Sequence, residues 1–242
     1  MKPLVTVITP TTGSHQLYNV LASVNNQTYS NIEHIVVADG PQYSNVTQGM
    51  LEGSQALLIQ LPYNTGHSQY NGHRIYGAMS YIANGDYLCF LDQDNWYENN
   101  HIESLVDVIQ QGNDWAYSLR KIVSQEGRYI CNDDCESLGK WNSVINDKFI
   151  DVNCFMIPKM AAINFSPYWY RRARHPQEQP EVDRILSPFM IQNFQKFDTT
   201  GEYTVNYRVA SRADSVQDVF FIKGNEVMKQ KMNGEYPWRK KT

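Results

Sequence analysis

Apolar residues open the chain in a short block, Leu4-Val5-Thr6-Val7-Ile8, which Pro10 and Gly13 stop. A β-branched run of that length followed by turn residues predicts a buried strand feeding a loop. Leu17, Val20, Leu21 and Val24 then recur at helical spacing across His15 to Asn26. A second strand is predicted over Ile32 to Ala38, and it ends at the turn signal Asp39-Gly40-Pro41. Strand, helix, strand makes a βαβ unit, and the consecutive apolar positions indicate strands covered on both faces. Ala56 to Leu61 predicts a third strand, Gln69 to Ala83 a helix, and Tyr87 to Leu91 a fourth strand that delivers Asp92-Gln93-Asp94 at its carboxyl end. Ligands of open α/β sheets bind beyond the carboxyl ends of the strands, so Thr9, Asp39 and Asp92 are expected to converge there although they are far apart in sequence.

Beyond Asn95 the pattern is less regular. An amphipathic helix is predicted over Asn99 to Gln111, with Ile102, Leu105, Val106 and Ile109 on one side. Trp115 to Val123, Tyr129-Ile130, Phe149 to Ile157 and Val205 to Val209 read as strands, and Val182 to Phe194 as a helix interrupted near Ser187-Pro188. Two long stretches, Asn132 to Asn146 and Ser166 to Pro180, read as loops, and loops of that length in a compact domain are often functional.

Composition narrows the function classes. A chain of 242 residues with 42% hydrophobic and 19% charged positions can bury a sizeable core and does not have the signature of disorder. The net charge of −4 provides no basic field along a phosphate backbone, so nucleic acid is not expected as a partner. Four cysteines, Cys89, Cys131, Cys135 and Cys154, are too sparse for a disulfide framework; Cys131 and Cys135 resemble half a zinc site whose second half is missing. No stretch approaches the ~20 apolar residues of a membrane span, and Met1 to Pro10 is too short for a signal segment. The expectation is a reduced, cytoplasmic protein that touches a membrane only peripherally, at its inner surface. The terminal Trp238-Arg239-Lys240-Lys241 suits either contact with anionic lipid or a solvated tail.

Two carboxylates one residue apart at a strand end suit a hard cation such as Mn²⁺ or Mg²⁺, with pyrophosphate oxygens completing the shell. The plainer alternative is a turn with a helix cap. Context adds to the first reading. Val5-Thr6-Val7-Ile8-Thr9-Pro10, Ile35-Val36-Val37-Ala38-Asp39-Gly40, Asn64-x-Gly66 and Gly85-Asp86-Tyr87-Leu88-Cys89-Phe90-Leu91-Asp92-Gln93-Asp94-Asn95 follow one another in the order seen in family 2 inverting glycosyltransferases of the GT-A fold, and the chain resembles that family over its first hundred residues or so.

The resemblance implies an α/β fold of GT-A type, the nucleotide-diphospho-sugar transferase fold, with a mostly parallel central sheet and helices on both faces. One domain would span 1–242, with a nucleotide-binding half at 1–98, an acceptor and catalytic half at 99–215 and a C-terminal extension at 216–242. It implies a UDP-sugar donor, a glycan, lipid-linked or small-molecule acceptor, and Mn²⁺ or Mg²⁺. Thr9 and Pro10 would line the nucleotide pocket, Asp39 would accept from the uracil imide, Asp92 would read the ribose and Asp94 would hold the metal. Asn71 and His73 would face the nucleotide, or be surface polar residues on a helix. The family often carries Ala-Arg-Asn where Gln69-Tyr70-Asn71 stands here, and Arg74 is the nearest replacement for the missing base.

An inverting transfer needs a base for the acceptor hydroxyl. Asp183, in Glu181-Val182-Asp183-Arg184, resembles the family's base segment; an acidic first turn that complements the helix dipole is the alternative. Asp151 and Asn153 are expected to bind sugar hydroxyls or orient the base, and Trp141 and Trp169 to offer flat faces to sugar C–H groups. His175 would approach the diphosphate or metal, and Arg171, Arg172 and Arg174 would bind the diphosphate, an acidic acceptor or a lipid phosphate, or pair with Glu178 and Glu181. Two further classes stay open, a nucleotidyltransferase and a nonenzymatic nucleotide-sugar-binding module. The loop Thr9 to His15 lacks the Lys or Arg that the first of these normally carries.

Overall fold

A computed structural model describes residues 2–67, 70–170, 182–210 and 216–240. The N-terminal half is a parallel sheet. β1 (Val5–Thr11) pairs with β2 (Ile32–Ala38) on one side and β4 (Tyr87–Phe90) on the other, and β3 (Leu57–Gln60) adds to β2. Between them run α1 (Leu17–Asn25), α2 (Pro41–Met50) and α3 (His73–Ile82). β1 is buried along its whole length, as its unbroken apolar and β-branched run requires. The register sets Thr11 against Ala38 and Ile8 against Phe90, which brings the carboxyl ends of β1, β2 and β4 to one edge. The order β3-β2-β1-β4 reverses direction at β1, the kind of switch point where open α/β sheets leave a crevice.

The second half makes the sheet mixed. After β5 (Trp96–Tyr97) and α4 (His101–Gln110) come β6 (Trp115–Val123), β7 (Tyr129–Asn132) and β8 (Phe155–Pro158). β8 runs antiparallel between β4 and β6, and β9 (Phe197–Arg208) lies parallel to β6 and antiparallel to β5. The remaining helices are α5 (Lys159–Phe165), α6 (Asp183–Asn193) and α7 (Asp218–Lys231), with 3₁₀ turns at Val152–Cys154 and Ser166–Tyr170. No described helix is long and apolar enough to cross a membrane.

Several elements differ from the expectation. β1 runs on to Thr11, and Phe149 to Ile157 is a strand only from Phe155, because Asp151 caps a 3₁₀ turn by accepting from the Asn153 N–H. α6 passes through Pro188 unbroken, at the loss of one backbone hydrogen bond. α2 and α7 fall where no helix was expected. α2 has Pro41 at its first turn, preceded by Gly40 at φ 126°, a conformation glycine adopts freely. Gly224 of α7 lies against Cys135, and a Cβ there would stand 2.6 Å from the Cys135 sulfur.

Two core histidines make stability depend on pH. His34 shares a hydrogen bond with the Thr9 hydroxyl at 3.1 Å, and His101 stacks on Tyr97 with ring centroids 3.7 Å apart. Burial pushes both pKa values down to about 3. An unfolded histidine protonates near pH ~6.5, so between that pH and the folded value the unfolded chain holds more protons and stability falls as pH falls. Each histidine is expected to cost about 2 kcal/mol at pH 5. The melting temperature should therefore drop between pH 7 and pH 5, and less steeply in His101→Gln; a flat profile in the parent protein would contradict this.

Candidate active site

The strand ends meet in a cleft of about 560 Å³ whose wall includes Pro10, Thr11, Thr12, Asp39, Asn64, Gly66, Asn71, His73, Asp92, Gln93, Asp94 and Arg208. Its floor is stapled across the β1–β4 switch point by the middle residue of the acidic triplet. Gln93 Oε1 accepts from the Thr11 hydroxyl at 2.8 Å and the Thr12 N–H at 2.9 Å, while its Nε2 donates to the Thr12 hydroxyl at 3.1 Å.

Asp92 is held on both sides. Its Oδ1 accepts from the Tyr76 hydroxyl at 2.7 Å and its Oδ2 from Asn153 Nδ2 at 2.9 Å, and its own N–H donates to Asn153 Oδ1 at 2.7 Å. Burial, then the charge of Asp94, raises its pKa to about 6 against the lowering effect of those two donors. Asp94 differs: among the described residues its carboxylate accepts no hydrogen bond, while its carbonyl accepts from Arg208 Nε at 3.0 Å. Arg208 also reaches the Gln125 carbonyl and lies 5.0 Å from the Trp96 ring centroid. One carboxylate fixed by neutral donors beside one left open is a donor set that suits a hard divalent cation. The described residues contain no cluster of three or more His, Cys, Asp or Glu side chains able to hold a metal, at Cys131 and Cys135 or elsewhere, so the rest of such a shell would come from substrate oxygens and water.

Asp39 sits on the wall with its carboxylate already engaged. Oδ1 accepts from the Thr65 N–H at 2.6 Å and hydroxyl at 2.8 Å; Oδ2 accepts from Gly66 N–H at 2.9 Å and Asn64 Nδ2 at 3.0 Å. These four bonds use the carboxylate's full acceptor capacity. In this geometry Asp39 folds the Asn64–Gly66 loop against the cleft instead of presenting a vacant acceptor to a base.

Other expected residues are placed differently. Thr9 is fully buried and turned to His34, so the wall here is Pro10 and Thr11 of β1 with Thr12 just beyond it. Trp169 is 1% exposed among Tyr76, Phe90 and Phe165, a core ring behind the wall and not a platform for sugar. Trp141 packs edge-on to Trp238 at 6.0 Å. Asp151 and Asn153 are buried, one against Arg120 and the other against Asp92, so neither is open to sugar hydroxyls. Arg74 is sandwiched with its guanidinium 3.6 Å from the Tyr70 ring centroid and 4.6 Å from that of Tyr170, and donates to the Thr65 carbonyl; it braces the loop and does not line the cleft.

Asn71 lies on the wall with φ 48°, and burial pushes the adjacent His73 down to about 4, so it is neutral. Asp183 is the first residue of α6; its side chain, and all of His175, Arg171, Arg172, Arg174, Glu178 and Glu181, lie outside the described residues. Sequence reasoning missed Gln93 as a staple, Tyr76 as a support and Arg208 as the cation beside Asp94. Only Arg208 left a signal, its place near the end of a predicted strand.

The sequence model described as "Glycosyl transferase family 2" matches residues 6–172. No curated protein matches the chain. Among solved structures, S. aureus TarS 1–349 in complex with UDP is 15% identical with a TM-score of 0.63, and the match covers 85% of this chain and 60% of that one. The same protein in complex with UDP-GlcNAc gives 14% identity, a TM-score of 0.64, and coverage of 95% and 66%. A further structure of S. aureus TarS matches over 98% of this chain and 44% of that one, at 13% identity and a TM-score of 0.61. This chain thus spans less than two thirds of each of those TarS chains, and the likeness is one of fold.

Proposed function

The chain belongs to glycosyl transferase family 2, and from that premise we propose that it moves a hexose or N-acetylhexosamine from a UDP-sugar to an acceptor hydroxyl with inversion, aided by Mn²⁺ or Mg²⁺. The observation that carries this reading is the pairing of a fixed Asp92 with an open Asp94 at the β1–β4 switch point. The complexes of TarS with UDP and UDP-GlcNAc add support for the donor class.

Asp94 is the proposed metal ligand, and Asp92, steadied by Tyr76 and Asn153, takes the ribose. A cation bound there supplies Lewis acidity to the departing diphosphate. Arg208, beside Asp94 on the wall, adds the positive charge that the Gln69-Tyr70-Asn71 segment lacks. The uracil is placed against the Asn64–Gly66 loop. For Asp39 to accept its imide N–H, one of the four present donors must yield, and the Thr65 hydroxyl is the least costly because the Thr65 N–H stays on the same oxygen. Asp183 is the proposed base that takes the acceptor proton.

A thermal-shift panel of UDP, GDP and CMP, each with and without Mn²⁺, tests the donor assignment. Ligand at 100 times its Kd adds about 2.7 kcal/mol, which in a chain of this size raises the melting temperature by roughly 5–10 °C. The expected result is that shift for UDP with Mn²⁺ only. An equal shift for GDP, or one indifferent to the metal, would overturn the assignment. Product analysis then separates sugar transfer, which releases UDP, from nucleotidyl transfer, which releases pyrophosphate.

A further inference from the structure

A chain of polar side chains, buried from Asn153 to Glu136 and half-buried at its ends, runs from the cleft to the start of α6. Asp92 bonds Asn153, whose Nδ2 also donates to Asp151 Oδ1 at 2.8 Å. Asp151 Oδ2 accepts from Arg120 Nη1 at 2.5 Å, and Arg120 Nη2 reaches Glu136 Oε2 at 2.5 Å. Glu136 Oε1 accepts from Arg184 Nη2 at 2.5 Å, and Arg184 Nη1 pairs with Asp147 at 2.6 Å. Arg184 directly follows Asp183 in α6. Arg120 is 1% exposed, and its Nε is taken by Asp133, so its three nitrogens serve three carboxylates.

This arrangement is a poor device for stability alone. Buried ion pairs often do no better than well-packed apolar residues of the same volume. Here acids outnumber bases, with Asp133, Glu136, Asp147 and Asp151 against Arg120 and Arg184. What a fully bonded network does provide is a single geometry, since each planar guanidinium accepts its carboxylates only in fixed directions. The two ends it ties are the carboxylate on the cleft wall and the helical turn that begins with the proposed base. They are 91 residues apart from Asp92 to Asp183 and lie on different elements.

We infer that the Asn153–Asp151–Arg120–Glu136–Arg184 network is a positioning relay that sets the first turn of α6 in register with Asp92. The inference rests on the transferase reading of the cleft only for its consequence in turnover. Arg184 and Asn153 are then positioning residues at opposite ends of one unit, acting on each other without touching. Neither end makes the other's contact; the side-chain route between them runs through Arg120, beside the bonds that Ser187 of α6 makes to the Ile150 backbone.

Hydrogen exchange of the substrate-free protein tests the coupling. With Arg184→Ala, exchange at the Asp92 and Asn95 amides should accelerate tenfold or more, and with Asn153→Ala the Ile185 and Leu186 amides should respond alike, while the α1 amides stay unchanged in both. Acceleration confined to the mutated end, or shared by α1, would overturn the relay. The kinetic arm measures UDP release from UDP-N-acetylglucosamine with Mn²⁺. Each single variant should lower kcat by about 10²-fold, the size of effect a misplacement of ~1 Å produces, with KM for the donor nearly constant in Arg184→Ala. The double variant should be no more than threefold worse than the poorer single one. Multiplicative losses would show two independent sites and overturn the relay. A parent protein that releases no UDP from any UDP-sugar would instead remove the transferase reading, leaving hydrogen exchange to decide the relay by itself.

Discussion

Asp183→Asn is expected to lower the rate of sugar transfer by about 10²–10⁴-fold, the range that a positioned general base contributes, while UDP and Mn²⁺ bind as before. The amide matches the carboxylate in shape but cannot accept the acceptor proton. Asp183 opens α6, an element separate from the turn after β4 that carries Asp92 and Asp94. The competing role, a carboxylate that complements the helix dipole, is worth about 0.3–1 kcal/mol of stability and no catalysis. Rate and melting temperature in the same variant separate the two. A collapse in turnover with a change of a few degrees or less marks the base; near-normal turnover moves the base elsewhere.

Arg120→Met should be the most destabilising single change in the second half of the protein. It leaves Asp133, Glu136 and Asp151 buried without their shared cation, and breaking a buried pair costs about 3–5 kcal/mol. For a chain of this length that corresponds to a fall in melting temperature of roughly 6–20 °C. The loss should depend on pH in a set direction. Burial alone would raise the Asp133 pKa, but the Arg120 charge and the backbone donors of Ser137 and Cys135 outweigh it and hold the carboxyl below its ordinary value. A group whose folded pKa is depressed stabilises above its unfolded value, near pH ~3.9, and that contribution is lost as pH falls through the folded value. The gap between parent and variant should therefore be full at pH 7 and narrow in acid. A variant within ~1 kcal/mol of the parent at pH 7 would mean that Met packing replaces the network.

The parallel half was legible because its strands are continuous apolar runs closed by turn residues, which marked β1, β2 and β4 along the chain and the convergence of Asp39 with Asp92. The same continuity hid which residues face the cleft. A strand buried on both faces has no alternation to show where the sheet ends, so the three residues by which β1 outruns Ile8, with Thr9 inside and Thr11 at the cleft, left no mark. α2 escaped notice because its apolar residues are few, and α7 because Val219, Ile222 and Val227 are exposed while Phe221 and Met228 are buried, so hydrophobicity marks no single face. Charge partners were the least legible of all. Nothing near Arg120 in sequence announces Asp133, Glu136 and Asp151, since only the folded β6 brings them together. Asp39 was found by its place at a strand end, yet its four donors come from the loop at 64–66, and pairings at that separation are not written in local pattern.

The most direct test of the proposed donor site is a calorimetric titration of UDP into the parent protein and into Asp94→Ala, each with and without Mn²⁺. A donor site built on an Asp94-held cation requires that UDP bind the parent only with Mn²⁺ and fail to bind Asp94→Ala, with the variant's melting temperature otherwise preserved. UDP binding at full affinity in Asp94→Ala, or in the parent without any divalent cation, would contradict it.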